Sequence, residues 1–183
     1  MEDKTIELLG RCLDGDFRVS PMAPDRTTKT DIIEIEKIFG IKFPDEYVAH
    51  LVAEGSEVLG ERGICIEVKE EIWPRANPYD IGPFWSFLYG MHTFTASRES
   101  ADWMRLEFVG NQFIEETGIK AIPILKIIGD ANMYCVNEHG NIVQYDHEQN
   151  IIEDIELDFW ELFERELIEL KKRKEMKIAE QKK

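Results

Sequence analysis

The chain has 183 residues, 43% of them hydrophobic, and 37 Asp and Glu against 22 Lys and Arg set a formal charge of −15. That length and apolar content suit one domain with its own core, and so acidic a body argues against nucleic-acid or membrane partners and favours cationic proteins. Three cysteines, Cys12, Cys65 and Cys135, are odd in number, lie far apart and form no CxxC pair, which argues against a disulfide framework and a zinc site and predicts free, mostly buried thiols.

The charge is uneven. Residues 171–183 (KKRKEMKIAEQKK) carry seven Lys or Arg and two Glu, a local +5 that leaves −20 for residues 1–170. Such a tail is expected to be a solvated helix face that complements the helix dipole. The start, Met1-Glu2-Asp3-Lys4, has acids where a signal peptide needs bases, and no stretch is long and apolar enough to span a bilayer. A cytoplasmic location, with its reducing conditions, is the expectation.

Residues 1–13 read as a short helix broken by Asp14-Gly15-Asp16, Pro21 and Pro24. Asp31 and Glu34 have capping-box spacing, and Ile32, Ile35 and Phe39 recur at helical intervals up to Gly40. Phe43-Pro44-Asp45-Glu46 opens a second helix with Tyr47 and Leu51 facing inward and a stop at Gly55. Gly63 to Val68 is β-branched enough for a strand, Trp73 to Pro83 is irregular, and Pro83 to Thr95 holds another strand.

Ser97 or Ser100 is expected to cap a helix carrying Trp103, Leu106, Phe113 and Ile114 to Gly118, which Gly110 either interrupts or sits within. A strand follows at Ile122 to Ile128. Met133 to Val136 and Ile142 to Tyr145 flank Asn137-Glu138-His139-Gly140-Asn141, a hairpin loop rich in residues that tolerate left-handed angles. Asp158 and Glu161 then cap a long helix with Phe159, Phe163, Leu167 and Leu170 as its apolar stripe. Helices and antiparallel hairpins in this order indicate an α+β fold.

Three blocks carry a resemblance. Ile35-Glu36-Lys37-Ile38-Phe39-Gly40-Ile41-Lys42-Phe43-Pro44-Asp45-Glu46-Tyr47 with Leu51 and Gly55 resembles the opening helices of the SUKH superfamily (Smi/Knr-like domains). Ile122-Pro123-Ile124, Gly129 to Val136 and Gly140 to Glu148 look like that family's central hairpin, and Phe159-Trp160-Glu161-Leu162-Phe163 resembles its closing aromatic helix. The Asn-Gly-Gly frequent after the second helix is Glu54-Gly55-Ser56 here. The resemblance implies an N-terminal extension at 1–26, a domain at 27–168, and a basic continuation of the last helix at 169–183. It implies an antiparallel sheet with helices packed on it, and a role in protein binding, as in bacterial immunity proteins of polymorphic toxin systems and a fungal regulator of cell-wall synthesis.

No catalytic motif is visible. His147-Glu148-Gln149-Asn150-Ile151 lacks the second histidine of a zinc helix, and Asp130 and Asn132 begin like a calcium loop but Tyr134 follows, so both read as turn residues. His139 and His147 read as polar turn and strand-end residues. No cofactor, metal or catalytic residue is expected, and the chain is read as a non-enzyme. Trp73, Phe84, Trp85, Phe87 and Trp103 are either core or interface anchors. Glu67, Glu70, Glu71, Trp73, Asp80 and Trp85 are the candidate partner-binding residues, facing a cationic, nuclease-type toxin domain. The alternative is an intracellular regulator or scaffold with no toxin partner.

Overall fold

In the computed structural model, which describes residues 3–22, 26–52, 63–77 and 79–183, alternating apolar segments pair into one antiparallel sheet. Among the described residues its seven strands lie in sequence order: β1 (Phe17–Pro21), β2 (Ile64–Val68), β3 (Gly90–Thr93), β4 (Ala121–Ile127), β5 (Met133–Asn137), β6 (Ile142–Asp146) and β7 (Ile151–Asp154). The helices are α1 (Lys4–Cys12), α2 (Lys29–Phe39), α3 (Asp45–Leu51), α4 (Leu106–Thr117) and α5 (Phe159–Gln181). The α+β expectation holds.

The period-two rule assigns the two faces. One carries Phe17, Ile64, Ile66, Met91, Ile122, Tyr134 and Val136, and packs with Leu8, Ile35, Tyr47, Phe159, Phe163 and Leu167 from α1, α2, α3 and α5 in a single core. The other carries Cys135, Val143 and Tyr145, where Phe113 of α4 packs with its ring centroid 4.9 Å from that of Tyr145.

Several local expectations meet their physics. Gly40 ends α2 with φ +63°, and Asp158 and Glu161 form the capping box of α5. The β5–β6 hairpin turns over Asn137, whose side chain accepts the backbone N–H groups of His139 and Asn141 at 3.0 Å. Asp130 shapes the turn before β5 by accepting the Asn132 N–H at 2.9 Å.

Other expectations are corrected. The capping box of α2 is Thr28 with Asp31, one turn earlier than Asp31 with Glu34, because Thr28 has the extended backbone that a cap requires. Ser97 and Ser100 are buried and cap nothing. They precede a 3₁₀ turn at Asp102–Met104, and α4 begins only at Leu106. Gly110 does not interrupt α4. A β-carbon there would lie 2.9 Å from Cζ of Phe39, so the glycine lets α2 and α4 approach. Residues 17–21, for which the sequence offers no element beyond the break after the first helix, form an edge strand paired with β2, and Pro21 sits at its end opposite Ile64. Helix α3 runs to Leu51, while the expected stop at Gly55 and the Glu54-Gly55-Ser56 turn lie outside the described residues, as does Pro24.

Candidate protein-binding surface

Between β2 and β3 the chain leaves the sheet and folds back as a lobe, described at residues 69–77 and 79–89, against the far end of α5. Trp73 is its root. The side chain is 1% exposed, donates from Nε1 to the Ser86 carbonyl at 3.2 Å, and meets Trp85 edge-on at 6.2 Å. Trp73 is therefore not a surface that a partner can touch, and its place in the candidate set is as support for Trp85. Arg75 ties the lobe to the sheet by donating to the Trp73 carbonyl at 2.9 Å and the Val68 carbonyl at 2.7 Å, its guanidinium 3.8 Å over the Tyr89 ring. From α5, Arg173 Nε donates to the Leu88 carbonyl at 3.0 Å.

The candidate acids divide. Glu67, on β2, is ion-paired with Arg18 of β1 and is largely neutralised. Glu70 and Glu71 are exposed in the turn after β2. Asp80 is exposed and its carboxylate accepts the Asn77 N–H at 2.7 Å, fixing the next bend. Trp85 is half-buried in a 3₁₀ turn, Phe84–Phe87. Sequence reasoning passed over Tyr79 and Ile81, which are 93% and 103% exposed, beside Phe84 at 60%. A cleft of about 340 Å³ lies between this stretch and the last turns of α5, lined by Arg75, Asp80, Ile81, Phe87, Lys177 and Glu180.

The basic end of α5 is solvated at Lys172, Lys182 and Lys183, as expected, but not throughout. Lys174 is 3% exposed, and its ammonium reaches Asp14 at 2.5 Å and Asp16 at 2.8 Å, 5.1 Å from the Phe17 ring. Burial pushes the Arg173 guanidinium below its ordinary pKa. These two residues join α5 to the α1–β1 turn and to the lobe. The signal was present: Phe163, Leu167, Leu170 and Lys174 share one helical stripe.

Negative charge gathers elsewhere. Residues 138–169 hold eleven Asp or Glu and one Arg, a net −10. They form β6, β7 and the first half of α5, with Glu153, Asp154, Glu156, Asp158 and Glu161 exposed. A second cleft, of about 390 Å³, opens here among Pro44, Glu46, Ile142, Asp154, Glu156 and Asp158. At 1.5 Å per helical residue, Asp158 and Glu180 stand about 33 Å apart, so the acidic pole and the lobe occupy opposite ends of α5.

His50 and the buried cysteines have structural settings. His50 is buried, its Nδ1 3.0 Å from Thr5 Oγ1 and Nε2 2.9 Å from Thr93 Oγ1, and desolvation lowers its pKa to about 3. Cys12, Cys65 and Cys135 are free, and burial raises the Cys65 thiol to about 11, well away from a nucleophilic thiolate. Among the described residues no group of three or more His, Cys, Asp and Glu is placed to hold a metal ion, and His139 and His147 belong to no such group. No described helix is long and apolar enough to cross a membrane.

The sheet, the closing aromatic helix and the order of elements agree with one family. The SMI1 / KNR4 family (SUKH-1) matches residues 26–165. The chain belongs to this family. Neither the curated proteins nor the solved structures offer a match. The SUKH-1 match begins after β1, yet α1 and β1 are built into the same core and sheet through Leu8, Leu9 and Phe17. The SUKH-1 family includes toxin immunity proteins.

Proposed function

We propose that this SUKH-1 chain is an immunity-type protein that binds and occludes a cationic toxin domain, and that it performs no catalysis. The observation that carries this reading is the charge: −15 overall, with −10 concentrated in residues 138–169 at one end of the molecule. A nuclease-type toxin needs an electropositive cleft to hold phosphates, and a field of this sign draws such a domain in. Membership of a family that includes immunity proteins supports the same assignment.

Contact forms at the lobe in this proposal. Glu70, Glu71 and Asp80 face the partner, and Trp85 is held in place by the buried Trp73. Glu67 contributes through its pairing with Arg18, which shapes the neighbouring sheet edge. The acidic pole acts at longer range, on association rate.

The test is association kinetics with the product of the neighbouring gene, across ionic strength. The expected result is an association rate that falls at least about tenfold between 20 and 500 mM salt, and that falls again in Glu153→Lys/Asp154→Lys. A complex indifferent to both would contradict the electrostatic account. A solitary gene with no toxin beside it, and a chain that captures a regulatory protein instead, would favour the scaffold reading.

A further inference from the structure

A folded surface has reason to hide an isoleucine, and Ile81 hides nothing: it is fully exposed, between Tyr79 at 93% and Phe84 at 60%. Three large apolar side chains within six residues make a patch that a monomer has no use for. The stretch that carries them is held by a chain of bonds. The Asp80 N–H donates to the Asn77 carbonyl at 3.0 Å while the Asp80 carboxylate accepts the Asn77 N–H at 2.7 Å. Downstream, the Ser86 N–H and Oγ both donate to the Pro83 carbonyl, at 2.9 and 2.6 Å, and the Leu88 N–H donates to the Trp85 carbonyl at 3.1 Å. The whole is rooted by Trp73 on one side and Arg75 on the other.

We infer that Ile81 and Phe84, with Tyr79 beside them, form a preorganised apolar plug that enters a socket on a protein partner, the socket being apolar at its centre and cationic at its rim. This rests on the protein-binding reading above and names the group that grips. The rim follows from charge complementarity with the exposed carboxylates of the lobe, Asp80 within the plug and Glu70 and Glu71 in the turn after β2, whereas Glu180 across the cleft is ion-paired with Lys177 at 3.1 Å. An apolar centre inside a polar rim is the anatomy of an interface hot spot. A loop already fixed by its own hydrogen bonds loses little further freedom when it docks. A lipid surface is the poorer occupant, since Asp80 stands between Tyr79 and Ile81 and would have to leave water with them.

The experiment compares the wild-type chain with Ile81→Ser and Phe84→Ser, singly and together, against the product of the neighbouring gene by surface binding, with thermal melts of each free variant. Both positions are exposed, so the melts should coincide with wild type. Each substitution should weaken the complex about 30-fold or more, mainly through faster dissociation, while the dependence of association rate on salt stays as in wild type. Unchanged affinity in the double variant, with the wild type forming a complex, would overturn the plug and leave the electrostatic reading standing. No complex with the wild type would overturn both. Sedimentation with phosphatidylcholine/phosphatidylglycerol vesicles separates the remaining case: binding to vesicles that is lost in Ile81→Ser would place the plug in lipid and overturn the protein socket.

Discussion

Acid should unfold this protein through His50. The ring lies in the core among Tyr47, Phe159, Trp160 and Phe163, with centroids 5.0 to 6.3 Å away, and its two nitrogens meet the Thr5 and Thr93 hydroxyls. The Thr93 hydroxyl also accepts the Ile64 N–H at 3.0 Å, so one neutral imidazole joins α1, α3 and the β2–β3 pair. Burial sets the folded pKa at about 3 against 6.5 for the free side chain. The folded value is the lower one, so the unfolded state binds the proton more tightly. The stability tied to a neutral His50 is then fully present above pH 6.5 and drains away as pH falls from 6.5 towards 3. Between pH 8 and pH 5 this one group costs about 2 kcal/mol, from RT times the logarithm of the unfolded-state proton binding at 1.5 units below its pKa. His92, lowered to about 4 by burial and by Lys126, adds a loss of the same sign. Urea titrations at pH 8 and pH 5 of wild type and His50→Gln isolate the His50 share. The variant should be less stable at pH 8 yet lose about 2 kcal/mol less than wild type on going to pH 5. Equal losses in the two proteins would refute the reasoning.

Trp73→Ala should cost about 3 to 5 kcal/mol, since it empties a fully buried aromatic site under the lobe, and a chemical-denaturation midpoint reads it directly. Lys174→Ala leaves Asp14 and Asp16 facing each other beside Phe17. Because both carboxylates are partly exposed the expected loss is about 1 to 3 kcal/mol, seen as a lower melting temperature, with Lys174→Arg recovering part of it. Gly63 has φ +72°, and a β-carbon there would lie 2.8 Å from the Phe94 carbonyl oxygen. Gly63→Ala should therefore destabilise by more than about 1 kcal/mol, and a melt equal to wild type would contradict the close approach.

Local chemistry announced much of the fold. Gly40, the Asn137–Asn141 loop and the Asp158–Glu161 cap each settle a boundary through two or three adjacent residues, and each is where its residue types require. The edge strands were not legible in the same way. β1 alternates as Phe17-Arg18-Val19-Ser20 but is only five residues long and closed by Pro21, and β7 ends in Glu153-Asp154 with no alternation, so both depend on the free backbone partners that β2 and β6 offer. The cap of α2 was misplaced by three residues because Thr28-Asp31 and Asp31-Glu34 satisfy the same spacing rule.

The lobe was half legible. Its aromatic and acidic content marked it, but composition alone does not say which tryptophan faces inward. Tertiary packing buries Trp73 and leaves Trp85 at the rim. Tyr79 and Ile81 sit among Asp80, Gly82 and Pro83, a turn signal with no periodicity to say which way their side chains face.

The most direct test of the central claim is co-expression of this chain with the product of the neighbouring gene, scored for growth and for a complex that survives size-exclusion chromatography. The account predicts rescued growth together with a stable complex. Toxicity undiminished by the chain, with the two proteins eluting apart, would contradict it.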